Sequence, residues 1–393
     1  MKEEYIILRN VRPNTRDIFA FNPRGVQPES ASTMVIDTDE IERHEIAKRA
    51  RESDVFAVAP AIPIRLVKPF PVAAPQATSS AGTTWGVKAI GADTSPFTGQ
   101  GIVVAILDTG IDKTHPAFSG VEIVEKDFTG EGNGDEDGHG THCAGTILGR
   151  EVSGTRIGIA PGVKKALIGK VLGRDGGSST NIVKAIQWAV DEGAHIISMS
   201  LGIDFPGLVK TLEERGFPTE LATSRALEGY RANLQLFDRL TAFVRAAGSF
   251  TSAAIFIAAA GNESRKDEDP SFEIAVSPPA VAEGIISVAA LGEGEQGFVV
   301  APFSNTGALV SGPGVRILSA KAGGGLAALS GTSMAAPHVA GAAALWGEKI
   351  RQTRTLNSIQ LTAKLIGSAG TEKLEPGFDM FDVGAGMVRA PQE

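Results

Sequence analysis

The chain is poor in cysteine, in aromatic residues, in basic charge and in long apolar runs. A single cysteine among 393 residues excludes an internal disulfide. It suits a reducing compartment, so a cytoplasmic location is the expectation. No uninterrupted apolar stretch approaches the roughly 20 residues that span a bilayer; "SAAIFIAAAG" is too short and ends in glycine. The opening "MKEEYIILRNVRPNTRD" has charge on both sides of a four-residue apolar run and lacks the core of a secretory signal, so neither Sec export nor a membrane partner is expected, while non-classical export stays open. Lys and Arg total 37 against 45 Asp and Glu, a net charge of -8, which leaves no electrostatic footprint for nucleic acid.

What the chain has in abundance is glycine, 47 residues against 2 tyrosines and 3 tryptophans, so its backbone makes many tight turns and close approaches. Residues 5–8, "YIIL", read as a strand, residues 39–52 as a charged helix, and residues 55–67, "VFAVAPAIPIRLV", as a proline-bearing edge strand. Residues 1–75 thus form a small α+β unit. A Pro, Ala, Ser and Thr stretch without periodicity follows, and residues 76–84 read as a linker open to cleavage. From residue 85 to 393 the pattern changes. Strands apolar throughout ("GIVVAILD", "HIISMSLG", "AAIFIAAAGN", "GIISVAAL") alternate with amphipathic helices at 181–193 and 237–248. Strands buried on both faces with helices between them indicate a mainly parallel central sheet, an α/β three-layer fold. Such sheets carry their chemistry at the carboxyl ends of the strands, where Asp108, Ser200 and Asn262 stand. Residues 204–236 are charged and helical in character and read as a surface insertion.

Four elements invite chemistry. Asp108 closes the buried strand of "VVAILDTGID"; taken alone it is equally well an aspartate that caps a turn. "DTG" also marks aspartic proteases, but only one copy occurs, and that mechanism needs two carboxylates sharing a proton. In "DGHGTHCAGTI", His139 lies between glycines that let a neighbour approach its ring, the position of an exposed base. His139, His142 and Cys143 are all possible zinc ligands, yet no second ligand cluster, "HExxH" or paired "CxxC" exists, so no metal site is expected. Cys143 has no redox partner, and His142 reads as a packed core histidine. In "LSGTSMAAPHVAGAAALW", Ser333 opens a small-residue helix, where a serine is commonly an N-cap but where a hydroxyl also meets the helix dipole. In "AAAGNES", Asn262 is either a turn residue or a carboxamide donor for a developing oxyanion. Together, hydroxyl, imidazole and carboxylate are the set for nucleophilic acyl transfer.

"DTGID", "HGTHCAGT", "SMSLG", "AAAGN" and "GTSMAAPHVAGAAAL", in that order, resemble the motifs of subtilisin-like serine proteases, the subtilases. The similarity runs from "WGVKAIGA" at 85 to "DVGAGMVRA". The resemblance implies a serine endopeptidase acting on protein or peptide substrates. In it Asp108 orients His139, His139 takes the proton of Ser333, and Asn262 with the Ser333 N–H holds the oxyanion. It further implies that Ser200, Leu201 and Gly202 pair with the substrate backbone and, with Ala259, Ala260 and Gly261, wall a roomy primary pocket. Cys143 resembles the cysteine some members carry beneath the histidine, where heavy metals or oxidants would disturb the ring. Residues 1–75 resemble the inhibitory propeptide, the enzyme's own partner, released by self-processing somewhere in 70–84.

Departures bear on cofactors. Where many subtilisins bring a calcium-binding Asp, "THPAFSG" has Ala117, and "GREVSGTR" lacks the Asn-rich calcium loop, so that site is expected to be absent and no cofactor is required. The acidic "GDEDG" before His139 reads most simply as a solvated loop, with cation binding or a preference for basic substrates as alternatives. Glu263 is a further candidate for favouring basic or polar groups. Two rival readings remain: a processing enzyme for one precursor, and a non-catalytic peptide binder on the same scaffold with its cleft blocked.

Overall fold

The computed structural model describes residues 2–11, 33–71, 82–248 and 254–393. The greater part of the expected linker at 76–84 lies outside these residues.

The centre of the molecule is an eight-stranded sheet. Its strands run in the order Phe298–Val300, Ile285–Glu293, Ile255–Ala259, Ile196–Met199, Val103–Asp108, Lys165–Lys170 and Glu122–Asp127, with Val310–Pro313 also paired to Ile285–Glu293. All pairings are parallel except that of Phe298–Val300. The side-chain alternation of a strand explains why three layers form. Val104 and Ile106 join the apolar core on one face, while Ala105 and Leu107 join that on the other. Ile255 and Ile257 against Phe256 and Ala258 divide the same way. Each Val, Leu, Ile or Phe among them, fully removed from water, contributes about 1.5–3 kcal/mol. Helices His139–Leu148, Thr332–Arg351 and Ser358–Gly367 cover the first face. Helices Ser179–Asp191 and Thr219–Gly248 cover the second. Among the described residues no helix is long and apolar enough to cross a membrane.

Before this sheet comes a small antiparallel sheet in which Lys2–Val11 lies between Thr33–Glu42 and Val55–Pro60. Ile6, Leu8, Met34 and Ala59 turn their faces into the second core, so the unit is packed against the main body. The charged helix expected over 39–52 is shorter than its pattern suggests. Asp39 and Ile41 are strand residues paired with Tyr5 and Glu3, and helix begins only at Arg43, where Glu42 and Glu45 form a capping box. Pairing with a neighbouring strand outweighed local helical preference. The edge strand expected over 55–67 is two strands, Val55–Pro60 and Pro63–Leu66.

Pro63–Leu66 leaves the N-terminal sheet and inserts antiparallel between Leu201–Ile203 and Gly177–Ser178. Further on, Phe70–Pro71 pairs with Leu326–Ser330. The intervening residues 67–69 therefore cross the carboxyl ends of the central strands. The expected insertion after residue 203 consists of Phe205–Glu214 and the first half of Thr219–Gly248, which runs unbroken through residue 236 into the core helix.

Candidate active site

Asp108 ends the strand Val103–Asp108 and is 1% exposed. Its Oδ1 accepts the Thr109 N–H at 2.8 Å and lies 2.7 Å from His139 Nδ1. Oδ2 is buried without a partner among the described residues. Charge this deep is tolerated only when paired, and the imidazole is the pairing group. Burial alone would pull the His139 pKa down, but the Asp108 carboxylate outweighs it and holds the ring well above its ordinary 6.5. With Nδ1 occupied, Nε2 is the nitrogen left to exchange a proton with a hydroxyl.

His139 is the first residue of its helix, and glycines at two places let the helix approach the Asp108 turn. A Cβ on Gly140 would lie 2.2 Å from Gly110 O, and one on Gly110, at φ +115°, would lie 2.1 Å from Gly134 O. Neither approach is possible for a larger residue.

Cys143, one turn on, places its sulfur 3.7 Å from His139 Nδ1, 3.8 Å from Ser200 Oγ and 3.4 Å from the Ser333 carbonyl. Burial pushes its thiol pKa up, so a neutral sulfur fills the space beneath the ring. Asp108, His139 and Cys143 bring one ligand atom each within 4.8 Å of one another. They fit a resident metal poorly, because Asp108 Oδ1 and His139 Nδ1 already share a proton and the thiol is not ionised. His142 turns away, its Nε2 3.0 Å from Ile317 O, and burial lowers its pKa to about 3, so it is a neutral core histidine. Ala117 is fully buried, and its methyl offers no oxygen to a cation.

Ser333 is the second residue of the helix Thr332–Arg351, whose N-cap is Gly331, so the serine does not cap it. Its hydroxyl donates instead to the carbonyl of Val67, at 2.7 Å, and not to the imidazole. Asn262 follows the strand Ile255–Ala259. Its Oδ1 accepts from Thr332 N at 2.8 Å and from Thr332 Oγ1 at 2.9 Å, which fixes the amide so that Nδ2 donates to Lys68 O at 2.9 Å. Thr332 Oγ1 in turn accepts the Gly261 N–H. Ser200 O accepts from Val67 N at 3.4 Å, while Leu201 and Gly202 stand opposite Leu66 and Arg65. The adjoining cavity, about 400 Å³, is lined by Gly202, Glu263, Ile274, Ser277 and Asn305. Ala259, Ala260 and Gly261 do not line it; Asn305 binds Ala260 O through Nδ2 and Gly261 O through its own N–H. Asn305 also holds Glu263, whose Oε2 it meets at 2.7 Å.

Residues 99–386 match the Subtilase family. The chain belongs to that family, whose members are serine endopeptidases. It is 34% identical over 281 residues to the major intracellular serine protease of Bacillus subtilis, covering 68% of this chain and 76% of that one. It is also 34% identical over 297 residues to subtilisin BL of Lederbergia lenta, covering 72% of this chain and 92% of that one. Fervidolysin from Fervidobacterium pennivorans, a keratinolytic enzyme related to subtilisin, superposes with a TM-score of 0.67 over 99% of this chain and 60% of its own, at 23% identity, and so shows the fold.

One member of this subtilase site was not singled out from the sequence. Asp135, first acid of "GDEDG", is no solvated loop residue. Its Oδ1 accepts from Thr109 Oγ1 and Gly138 N, both at 2.8 Å, and its Oδ2 from Thr141 N at 2.8 Å and Thr141 Oγ1 at 2.6 Å. Thr109 Oγ1 accepts the Gly140 N–H. Asp135 thus ties the turn after Asp108 to the first turn of the His139 helix. The readable signal was an acid just before a helix start, where free N–H groups attract it. Asp135→Ala is expected to lower kcat on a peptide substrate about 10- to 100-fold with little change in KM, since small misplacements of catalytic groups have effects of that order. Unchanged kcat would show that Asp108 and His139 hold their places without it.

Proposed function

We propose that the chain is a subtilase zymogen. Asp108, His139 and Ser333 form the catalytic relay, and residues 1–75 are an inhibitory prosegment whose strand Pro63–Leu66 and the residues just after it occupy the cleft. The observation that carries this reading is the hydrogen bond from Ser333 Oγ to the carbonyl of Val67, the residue that follows the strand Pro63–Leu66 paired antiparallel with Leu201–Ile203. In this reading Val67 precedes the bond presented to the nucleophile.

His139 Nε2 takes the Ser333 proton as Oγ attacks the scissile carbonyl carbon. The resulting oxyanion sits between Asn262 Nδ2 and the Ser333 N–H. His139 then returns the proton to the leaving amine, an acyl-enzyme remains, and water releases it by the same steps in reverse. Hydroxyl, imidazole and carboxylate suffice, so the reading calls on no cofactor. A reducing cytoplasm is the proposed compartment, supported by the intracellular protease among the relatives and the single buried cysteine. The structure of the site favours a working enzyme over a blocked peptide binder, because a binder has no use for a buried carboxylate held against an imidazole.

Ser333→Ala is expected to abolish peptide hydrolysis and leave the full chain uncut on a gel; residual cleavage at the wild-type rate would refute the nucleophile. Asn262→Ala should lower kcat about 10²- to 10³-fold, the magnitude known for subtilisin itself; a change confined to KM would argue against the oxyanion role. The base must be neutral to act, and the His139 pKa is raised. Activity is therefore expected to rise with pH along a limb above the 6.5 of an ordinary histidine. Asp108→Asn should move that limb down and cut kcat about 10⁴-fold. A wild-type limb at or below 6.5 would contradict the pairing.

A further inference from the structure

The insertion that follows Leu201–Ile203 begins at Asp204, the N-cap of the helix Phe205–Glu214. Asp204 Oδ1 accepts the Gly207 N–H at 2.9 Å, which holds the carboxylate in place. Its other partner comes from the strand in the cleft, the guanidinium of Arg65. The register is set by the backbone, since Arg65 stands opposite Gly202. Side chains two apart on a strand share a face, so Arg65 and Val67 point the same way, and both line the cavity of about 400 Å³. The insertion supplies that cavity with Phe205, Pro206, Leu227 and Tyr230. Phe205 and Tyr230 meet edge to face at 5.9 Å between ring centroids, a firm apolar wall for an aliphatic stem.

We propose that the insertion builds a subsite for a basic side chain at the third residue on the amino side of the cleaved bond, with Asp204 recognising its charge. This rests on the reading above that Val67 occupies the position just before that bond. Substrates of the enzyme are then peptides that carry Arg or Lys two residues before the one entering the primary pocket. The size of the effect follows from exposure. Asp204 is 18% exposed and Arg65 51%, and pairs open to water are worth little and are screened by salt. The preference is therefore modest, about three- to five-fold in kcat/KM.

The test uses the full chain and fluorogenic peptides identical except for Arg, citrulline or Glu at that third position. The ratio of kcat/KM between two peptides does not depend on what fraction of molecules has processed itself. Arg is expected to exceed citrulline, which keeps the shape without the charge, by about three- to five-fold at low salt. That ratio should fall toward one at about 0.5 M NaCl, and Glu should be the poorest. Asp204→Asn retains a capping side chain and should bring the ratio of Arg to citrulline close to one. A wild-type ratio of one at low salt overturns the subsite, as does a preference that survives Asp204→Asn. Should that variant fail to fold, the salt dependence of the wild-type ratio decides, and a preference indifferent to salt overturns the assignment. Cleavage of no peptide, together with failure of a fluorophosphonate to label Ser333, would overturn the protease reading itself and this subsite with it.

Discussion

A carboxylate almost wholly removed from water is the constraint around which this molecule is arranged. Desolvating such a group costs several kcal/mol, and Asp108 recovers it through the Thr109 N–H and the His139 ring at 2.7 Å. The ring can reach only because Gly110 and Gly140 let two backbone segments touch, and it stays only because Asp135 ties those segments together. The neutral sulfur of Cys143 closes the space beneath. Removing any of these supports leaves the same buried charge with a poorer partner, so positioning and electrostatics are one problem here.

The parallel sheet solves the remaining half of it. Strands that run the same way end at the same edge, so Asp108, Ser200 and the Gly261–Asn262 turn meet there although the chain separates them widely. The helix Thr332–Arg351 enters that edge with Ser333 in its first turn. Thr332, just before it, orients Asn262 by accepting from Gly261 and donating to the carboxamide oxygen. One side chain thus fixes the relation between the helix that carries Ser333, the proposed nucleophile, and the proposed oxyanion donor.

Much of this was legible beforehand, for physical reasons. Strands buried on both faces announce themselves as unbroken apolar runs, and a polar residue at the end of such a run stands out; Asp108 and Asn262 were visible in that way, as was His139 between its glycines. The misreadings have physical causes too. Residues 39–42 look helical in isolation, but their pairing with residues 2–5 is a long-range fact that local charge pattern does not carry. Asp135 was hidden in a run of acids whose other members face water; the coming helix start marks the run as a site for an acid but does not say which member turns inward. Thr332 and Asn305 act through contacts with residues distant in sequence. The insertion's continuation into the core helix was obscured because the helix's first half buries small residues such as Ala222 and Ala226 while its second half buries Leu236, Phe237 and Leu240, a change in composition and not in backbone.

If Asp108, His139 and Ser333 form the proposed relay, residues 67–68, which lie against Ser333 and Asn262, must be held so that they are not cut. Catalysis requires interactions stronger in the transition state than in the ground state. Here the two side-chain donors that would serve the reaction are engaged in the ground state: Ser333 Oγ donates to Val67 O, and Asn262 Nδ2 to Lys68 O. Attack on Val67 would require the serine to give up its bond to the carbonyl oxygen and turn toward the imidazole, and the asparagine to release Lys68. Each bond lowers the energy of the bound strand and so adds to the barrier for cutting it. A substrate that leaves Asn262 free and presents its carbonyl carbon to Ser333 meets no such obstacle. On the proposed zymogen reading, the cleft would distinguish prosegment from substrate by where the carbonyl oxygens fall.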